Sequence, residues 1–331
     1  MFYLLSISLC CAVLFIVLAG TSVLCMWVGR LFRPSASFLA PATIANLLFT
    51  IRILPVLLAS LVTFGFVLPS LLKFEPRSTS ELVGWPLLGL AVLGASALVM
   101  MSVRAATIVR STRLVGASWR RHSKKFLLEN IDVPVYCLDD AGAGPDSVLA
   151  VLGFLRPKIF VARQVVDTLT QAELLAAVEH ERAHVRSFDN LKQLALKVTR
   201  MPDWLNLSGI PDSAWTNACE IAADETALAS GVSVLDLSGA LIKVAALGSQ
   251  SRVGEKVAAS HLVFTESGTS LQARVDRLQK MLEGNDSARR ACPRNRRGKM
   301  PLSLVVAAIA YATCVNALLP WVHEALEGLV R

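Results

Sequence analysis

The chain has 331 residues, 33 of them lysine or arginine against 25 aspartates and glutamates, for a formal net charge of +8, and 54% of its residues are apolar against only 18% charged. A charged fraction so far below the roughly 25% of soluble domains excludes an ordinary water-soluble globule and a disordered chain alike. The positive balance does not indicate direct nucleic-acid binding, because no nucleic-acid-binding motif is present and 27 of the basic residues lie between Arg104 and Lys299 among 21 acidic ones.

Residues 2–28, 53–72, 85–103 and 301–320 are apolar runs near the length of about 20 residues that crosses a bilayer. The first lacks a basic leader and is longer than the apolar core of a signal peptide, so an uncleaved span is expected. Arg52, at the start of the second run, is placed to snorkel to the interface. Arg104, Arg110, Arg113, Arg120, Arg121, Lys124 and Lys125 follow the third run directly, and Arg289, Arg290, Arg294, Arg296, Arg297 and Lys299 precede the fourth. By the excess of basic residues on cytosolic loops, residues 105–284 face the cytosol, while both chain ends and the charge-balanced loop 73–84 face outward. The expectation is a multi-pass protein of the inner membrane: three spans within 1–104, a cytosolic domain at 105–284, a basic linker at 285–300, a fourth span and a short outer tail at 321–331. Seven cysteines, three of them (Cys10, Cys11, Cys25) inside the first span, show no paired spacing, so no disulfide framework is expected.

Within the cytosolic domain, residues 133–138, 147–152 and 158–162 read as short strands, and helices dominate afterward, giving an α+β class. If 158–162 is an edge strand, the backbone of Ile159, Phe160 and Val161 is free to hold an extended peptide; the other reading is an ordinary sheet strand. Residues 170–191 read as one helix, opened by the capping box Thr170 to Glu173 and carrying Leu174, Leu175 and Val178 on an apolar face.

That helix contains His180-Glu181-Arg182-Ala183-His184, the H-E-x-x-H pattern. Residues four apart share a helix face, so both imidazoles can bind one tetrahedral zinc ion, and Glu181 can reach the water beside it. The bland reading makes the histidines surface residues and Glu179, Glu181, Arg182 and Arg186 a solvated charged face. A catalytic zinc needs a third protein ligand, for which Glu220 is the candidate, in a helix starting near Asp212 or Ser213. Asp224, one turn on, is placed to accept the second N–H of a ligating histidine. The competing reading has both acids serving only a helix dipole. Asp189 is a similar support or a helix cap, and Cys219 is a small buried residue or a competing ligand. Residues 236–247 and 270–282 complete the helical part.

Gly153-Phe154-Leu155-Arg156-Pro157-Lys158-Ile159-Phe160-Val161, residues 169–175, the H-E-x-x-H run with Asp189-Asn190-Leu191, and Cys219-Glu220 through Asp224-Glu225 together resemble the BlaR/MecR-type membrane metallopeptidases. The arrangement of three spans before the domain and one after also resembles theirs. The resemblance implies a minigluzincin-like fold and a zinc-dependent endopeptidase with one Zn2+ held by His180, His184 and Glu220. Glu181 is then the general base for zinc-activated water, and the substrate a protein such as a transcriptional repressor. The large penicillin-binding sensor of those proteins has no counterpart in 321–331, so a signal is expected from the spans, the loop 73–84 or a sensor partner. The HtpX and CAAX-protease group of membrane quality-control or processing peptidases shares the H-E-x-x-H and the later Glu-x-x-x-Asp and is the second resemblance, but its usual arrangement puts more membrane helix after the site. His261 and Arg274 are the candidates for stabilising an oxyanion, with structural roles as the alternative; Arg274 lies in a segment similar to an arginine-containing helix of related proteases. A zinc-binding transducer or scaffold that does not cut is the non-enzymatic reading, and the intact Glu181 argues against it. A channel would need intramembrane ionisable residues, which these spans almost wholly lack.

Overall fold

A computed structural model describes residues 2–32, 39–74, 84–126, 131–139, 149–200, 212–251, 268–283, 311 and 318–326. Among these, three helical stretches are long and apolar enough to cross a membrane: Tyr3–Trp27, Pro41–Phe74 and Trp85–Arg121. Most of the expected fourth span, the linker 285–300, His261 and residues 75–83 of the loop lie outside the described residues.

The first span is α1 (Phe2–Phe32). The second comprises α2 (Pro41–Val62), a π-helical turn (Thr63–Val67) and α3 (Leu68–Phe74). It begins at Pro41, ahead of the apolar run, and its first turns pack against the domain that follows the third span. Pro55 lies inside α2, where it supplies no N–H to the helix ladder. At the π turn the Gly65 carbonyl accepts a hydrogen bond from the Tyr311 hydroxyl at 2.6 Å, and Ser70 Oγ donates to the Leu319 carbonyl at 3.1 Å. Tyr311 and Leu319 thus rest on the second span, and residues 318–326 are helical past the expected limit of the fourth.

The third span, α4 (Trp85–Arg121), has 37 residues. At 1.5 Å per residue it is about 55 Å long, well beyond the ~30 Å hydrocarbon layer. Its second half leaves the apolar run and becomes one layer of the domain, so span and domain share a single helix across residues 104–105. There Val115 and Trp119 cover one face of a four-stranded sheet, packing on Leu138, Ala150, Leu152 and Phe160.

The sheet consists of β1 (Ser123–Phe126), β2 (Val135–Leu138), β3 (Leu149–Leu152) and β4 (Lys158–Ala162), in the order β1-β2-β4-β3. β2 and β4 are parallel; the two outer pairs are antiparallel. The expectation that Ile159, Phe160 and Val161 form an edge is therefore corrected. β4 is paired on both sides, and all three residues are almost fully buried, Ile159 and Val161 facing one layer and Phe160 the other. Among the described residues the edges are β1 and β3. β1 was not anticipated: Ser-Lys-Lys-Phe carries no strand signal of its own and is set by pairing with β2.

The other sheet face, Val135, Val151, Ile159 and Val161, packs on Leu174, Ala177 and Val178 of α6 (Gln171–Arg186), which follows the short α5 (Arg163–Thr168). The capping box at Thr170 is present in full. Glu173 also accepts from Lys243 at 2.7 Å, tying the start of α6 to α9 (Val234–Ser251). The single helix expected over 170–191 is corrected to two. α6 ends at Arg186, Phe188 adopts the left-handed region at φ 56°, and α7 (Asp189–Val198) starts in a new direction. α8 (Asp212–Ala229) and α10 (Gly268–Glu283) complete the domain. Ile44, Ala45, Leu48 and Phe49 of α2 pack against Leu196, Trp215, Ala218 and Cys219, seating the membrane helix on α7 and α8.

α1 and α4 approach closely at Gly94, where an added Cβ would collide with the carbonyl of Cys11, whereas the space beside Gly89 on the same helix is open. Gly94→Ala is expected to destabilise the helix bundle by about 1–3 kcal/mol through overpacking against backbone that cannot turn aside. Gly89→Ala should be neutral or slightly stabilising. The apparent Tm of the two variants in detergent checks this.

Candidate metal centre

α6 carries His180 and His184 one turn apart on the face turned toward α8, and α8 carries Glu220 and Asp224 one turn apart on the face turned back. All four are at most 5% exposed. His180 Nε2 lies 3.3 Å from His184 Nε2 and 3.4 Å from Glu220 Oε2, and His184 Nε2 lies 3.6 Å from Glu220 Oε1. These three residues can hold one metal ion. Tetrahedral zinc with bonds of about 2.0–2.1 Å sets its donors roughly 3.3 Å apart, a spacing the two imidazole nitrogens match, while each histidine has a different Glu220 oxygen nearby and the three ligand atoms lie within 4.8 Å of one another.

The remaining ring nitrogens point to carboxylates. His184 Nδ1 is 2.8 Å from Asp189 Oδ2, and His180 Nδ1 is 3.0 Å from Asp224 Oδ1, the latter approach poorly aligned for a hydrogen bond. A ring that donates from Nδ1 keeps its Nε2 lone pair for a ligand, which is how such outer contacts fix tautomer and orientation. Asp189 is the first residue of α7, whose cap is Phe188, and its carboxylate serves His184 rather than the helix start.

Arg274, on α10, closes the back of the site with almost no exposure. It donates from Nε to Asp224 Oδ2 at 2.8 Å, from Nη2 to Asp224 Oδ1 at 2.6 Å and from Nη1 to Glu220 Oε2 at 2.7 Å. The guanidinium is engaged by two acids of α8. This geometry accounts for the protonation states. Burial pushes the Glu220 and Asp224 carboxyls up, but the imidazoles and Arg274 outweigh it and hold both well below the usual range. Burial also opposes charge on His180, yet Asp224 and Glu220 raise it to about 9, and His184 is raised in the same sense by Asp189 and Glu220. Glu181 differs. Burial raises its carboxyl, the two imidazoles offset this only in part, and it keeps some solvent access. A carboxylate raised in this way is a better proton acceptor near neutrality.

Glu179 and Arg182 beside the motif do not lie on a solvated face, whereas Arg186 is exposed. Arg182 donates to Asp132 at 2.6 Å and to Glu179 at 2.7 Å, with Arg182 and Glu179 side chains only 12% and 11% exposed. They pin the segment before β2 to α6. Cys219 is buried against α2 and its thiol is pushed up by burial, which opposes the thiolate form a metal would need. A contact absent from the sequence reading is that of Asn190, whose side chain reaches the backbone of β3. Its only advance signal was its place beside Asp189.

The sequence matches a family model described as BlaR1 peptidase M56 over residues 79–278, from just before α4 into α10, so that every residue of this centre falls inside the match. No curated protein matches it.

Removing Arg274 would leave Asp224 and Glu220 as buried charges without their common partner. Arg274→Met is expected to cost the metal-free protein about 3–5 kcal/mol. Arg274→Lys should recover little, since an ammonium cannot reproduce the fork. The apparent Tm in the presence of a chelator reads both.

Proposed function

The chain belongs to the BlaR1 peptidase M56 family, and on that premise we propose that it is a membrane-anchored, zinc-dependent endopeptidase of minigluzincin-like fold acting in regulatory proteolysis. The carrying observation is the convergence of His180, His184 and Glu220 on one point, with Glu181 next to the first histidine and open enough to solvent to meet a water. Bound there, a zinc ion would supply a Lewis acid that polarises the scissile carbonyl and acidifies water.

The protein's own groups do the rest. Asp224 and Asp189 hold the two imidazoles in orientation, and Arg274 fixes the Glu220 carboxylate so that one oxygen stays toward the histidines. Glu181 takes the proton of the attacking water at its carboxylate and returns it to the leaving amine, the acid–base role that its raised proton affinity suits. The substrate backbone lies along an edge strand, and with β4 enclosed that edge is β3, which packs near α6. Arg274, with three bonds to carboxylates, serves as a support for the ligand set rather than as an oxyanion donor.

The basic residues flanking the domain favour a cytosolic peptidase, with the amino and carboxy ends across an inner membrane. A cytosolic repressor or a membrane-proximal protein is the substrate class that this placement favours, with an activating sensor as partner.

Glu181→Gln is expected to keep stoichiometric zinc while losing cleavage by a factor of about 100 or more, since it removes the base and leaves the ligands. Glu220→Ala should lose zinc as well. Metal content and comparative proteomics of cells expressing each variant check this: proteolysis retained by Glu181→Gln, or full zinc in Glu220→Ala, contradicts the assignment.

A further inference from the structure

Asp189 and Asn190 follow one another at the start of α7, directly after the left-handed residue Phe188, and their side chains go to different places. Asp189 meets His184. Asn190, 7% exposed, donates from Nδ2 to the carbonyls of Val151 at 3.0 Å and Gly153 at 3.1 Å. The register identifies which side of β3 this is. The Ile159 N–H donates to the Pro134 carbonyl, so the backbone polar groups of Ile159 face β2. Within a strand the N–H and C=O of one residue point the same way, so Val151, directly opposite Ile159, forms a non-hydrogen-bonded pair with it. The N–H and C=O of Val151 then point away from β4, to the outer edge of the sheet. Leu149, two residues earlier, presents its groups to the same edge, which has no strand partner among the described residues.

We propose that Asn190 is a positioning residue for the peptidase reaction. It ties the substrate-receiving edge of β3 to the same turn that orients His184, and it ends the peptide ladder by occupying the Val151 and Gly153 carbonyls. An extended peptide is left the N–H of Val151 and both groups of Leu149. The turn after α6 thereby fixes the offset between the substrate backbone and the metal ligands. Phe188 makes this geometry: a non-glycine residue held at positive φ carries a local cost, and here it lets two successive side chains address ligand and edge strand. The inference rests on the peptidase reading above.

The test uses the full-length, zinc-loaded protein in detergent micelles, with internally quenched decapeptides of mixed sequence as the probe. Asn190→Leu keeps the approximate size and removes the donor. Its KM is expected to rise roughly tenfold, the loss of about one hydrogen bond's worth of alignment, with kcat within about twofold of wild type and zinc content unchanged. Hydrogen–deuterium exchange of amides 149–153 should quicken while that of 176–184 stays as in wild type. Unchanged KM and unchanged exchange at 149–153, with wild-type cleavage intact, overturn the positioning role alone. A fall in kcat together with zinc loss overturns it also, by making Asn190 a support of the metal site only. Absence of cleavage by the wild-type protein sinks the peptidase reading and this inference with it.

Discussion

Glu220 and Asp224 lie one helical turn apart in the interior, and a single guanidinium spans both. Two carboxylates brought that close out of water repel one another and lose hydration, a cost that low exposure makes large. Arg274 offsets it with three hydrogen bonds from a rigid planar fork, and the geometry of that fork dictates where each oxygen points. The rest of the centre follows. Asp224 is held at His180, one Glu220 oxygen is shared between Arg274 and the histidine side, and α10 is locked to α8, although the two helices are far apart in sequence. Arg277 of α10 also pairs with Glu225 of α8, extending the seam toward the surface.

The domain is not a globe hung from a membrane anchor. α4 is a wall of the sheet, and α2 packs on the helix that carries Glu220, with Trp215, Ala218 and Cys219 in that contact. Lys192 of α7 donates to Asn46 of α2 at 2.8 Å, so the turn bearing Asp189 is also linked to the second span. That span contains a proline and a π turn, two departures from a regular helix. The helix of the two histidines, the edge strand and the membrane helices therefore share one continuous packing, and the region matched by the family model includes α4 as well as the domain.

What could be read in the sequence was what is local. The capping box, the two histidines on one face and the spacing of Glu220 and Asp224 depend on residues within a turn of each other, and β4 is a compact run rich in β-branched and aromatic residues after Pro157. Pairing order is not local: whether Phe160 sits at an edge depends on where β2 and β3 land, which no residue of β4 encodes. The break after α6 was hidden because its left-handed residue is phenylalanine, not glycine or asparagine. Hydropathy found the first three spans but not their ends, since α2 and α4 continue as helices beyond the apolar runs and pack on the domain. Arg274 was noticed, but its partners lie fifty residues away and only folding joins them.

X-ray absorption at the zinc edge of the full-length protein tests the metal centre most directly. Two imidazole nitrogens and a carboxylate oxygen at about 2.0–2.2 Å, with no sulfur, are expected from His180, His184 and Glu220. A sulfur scatterer near 2.3 Å, or a spectrum unchanged in Glu220→Ala, would contradict the centre built here.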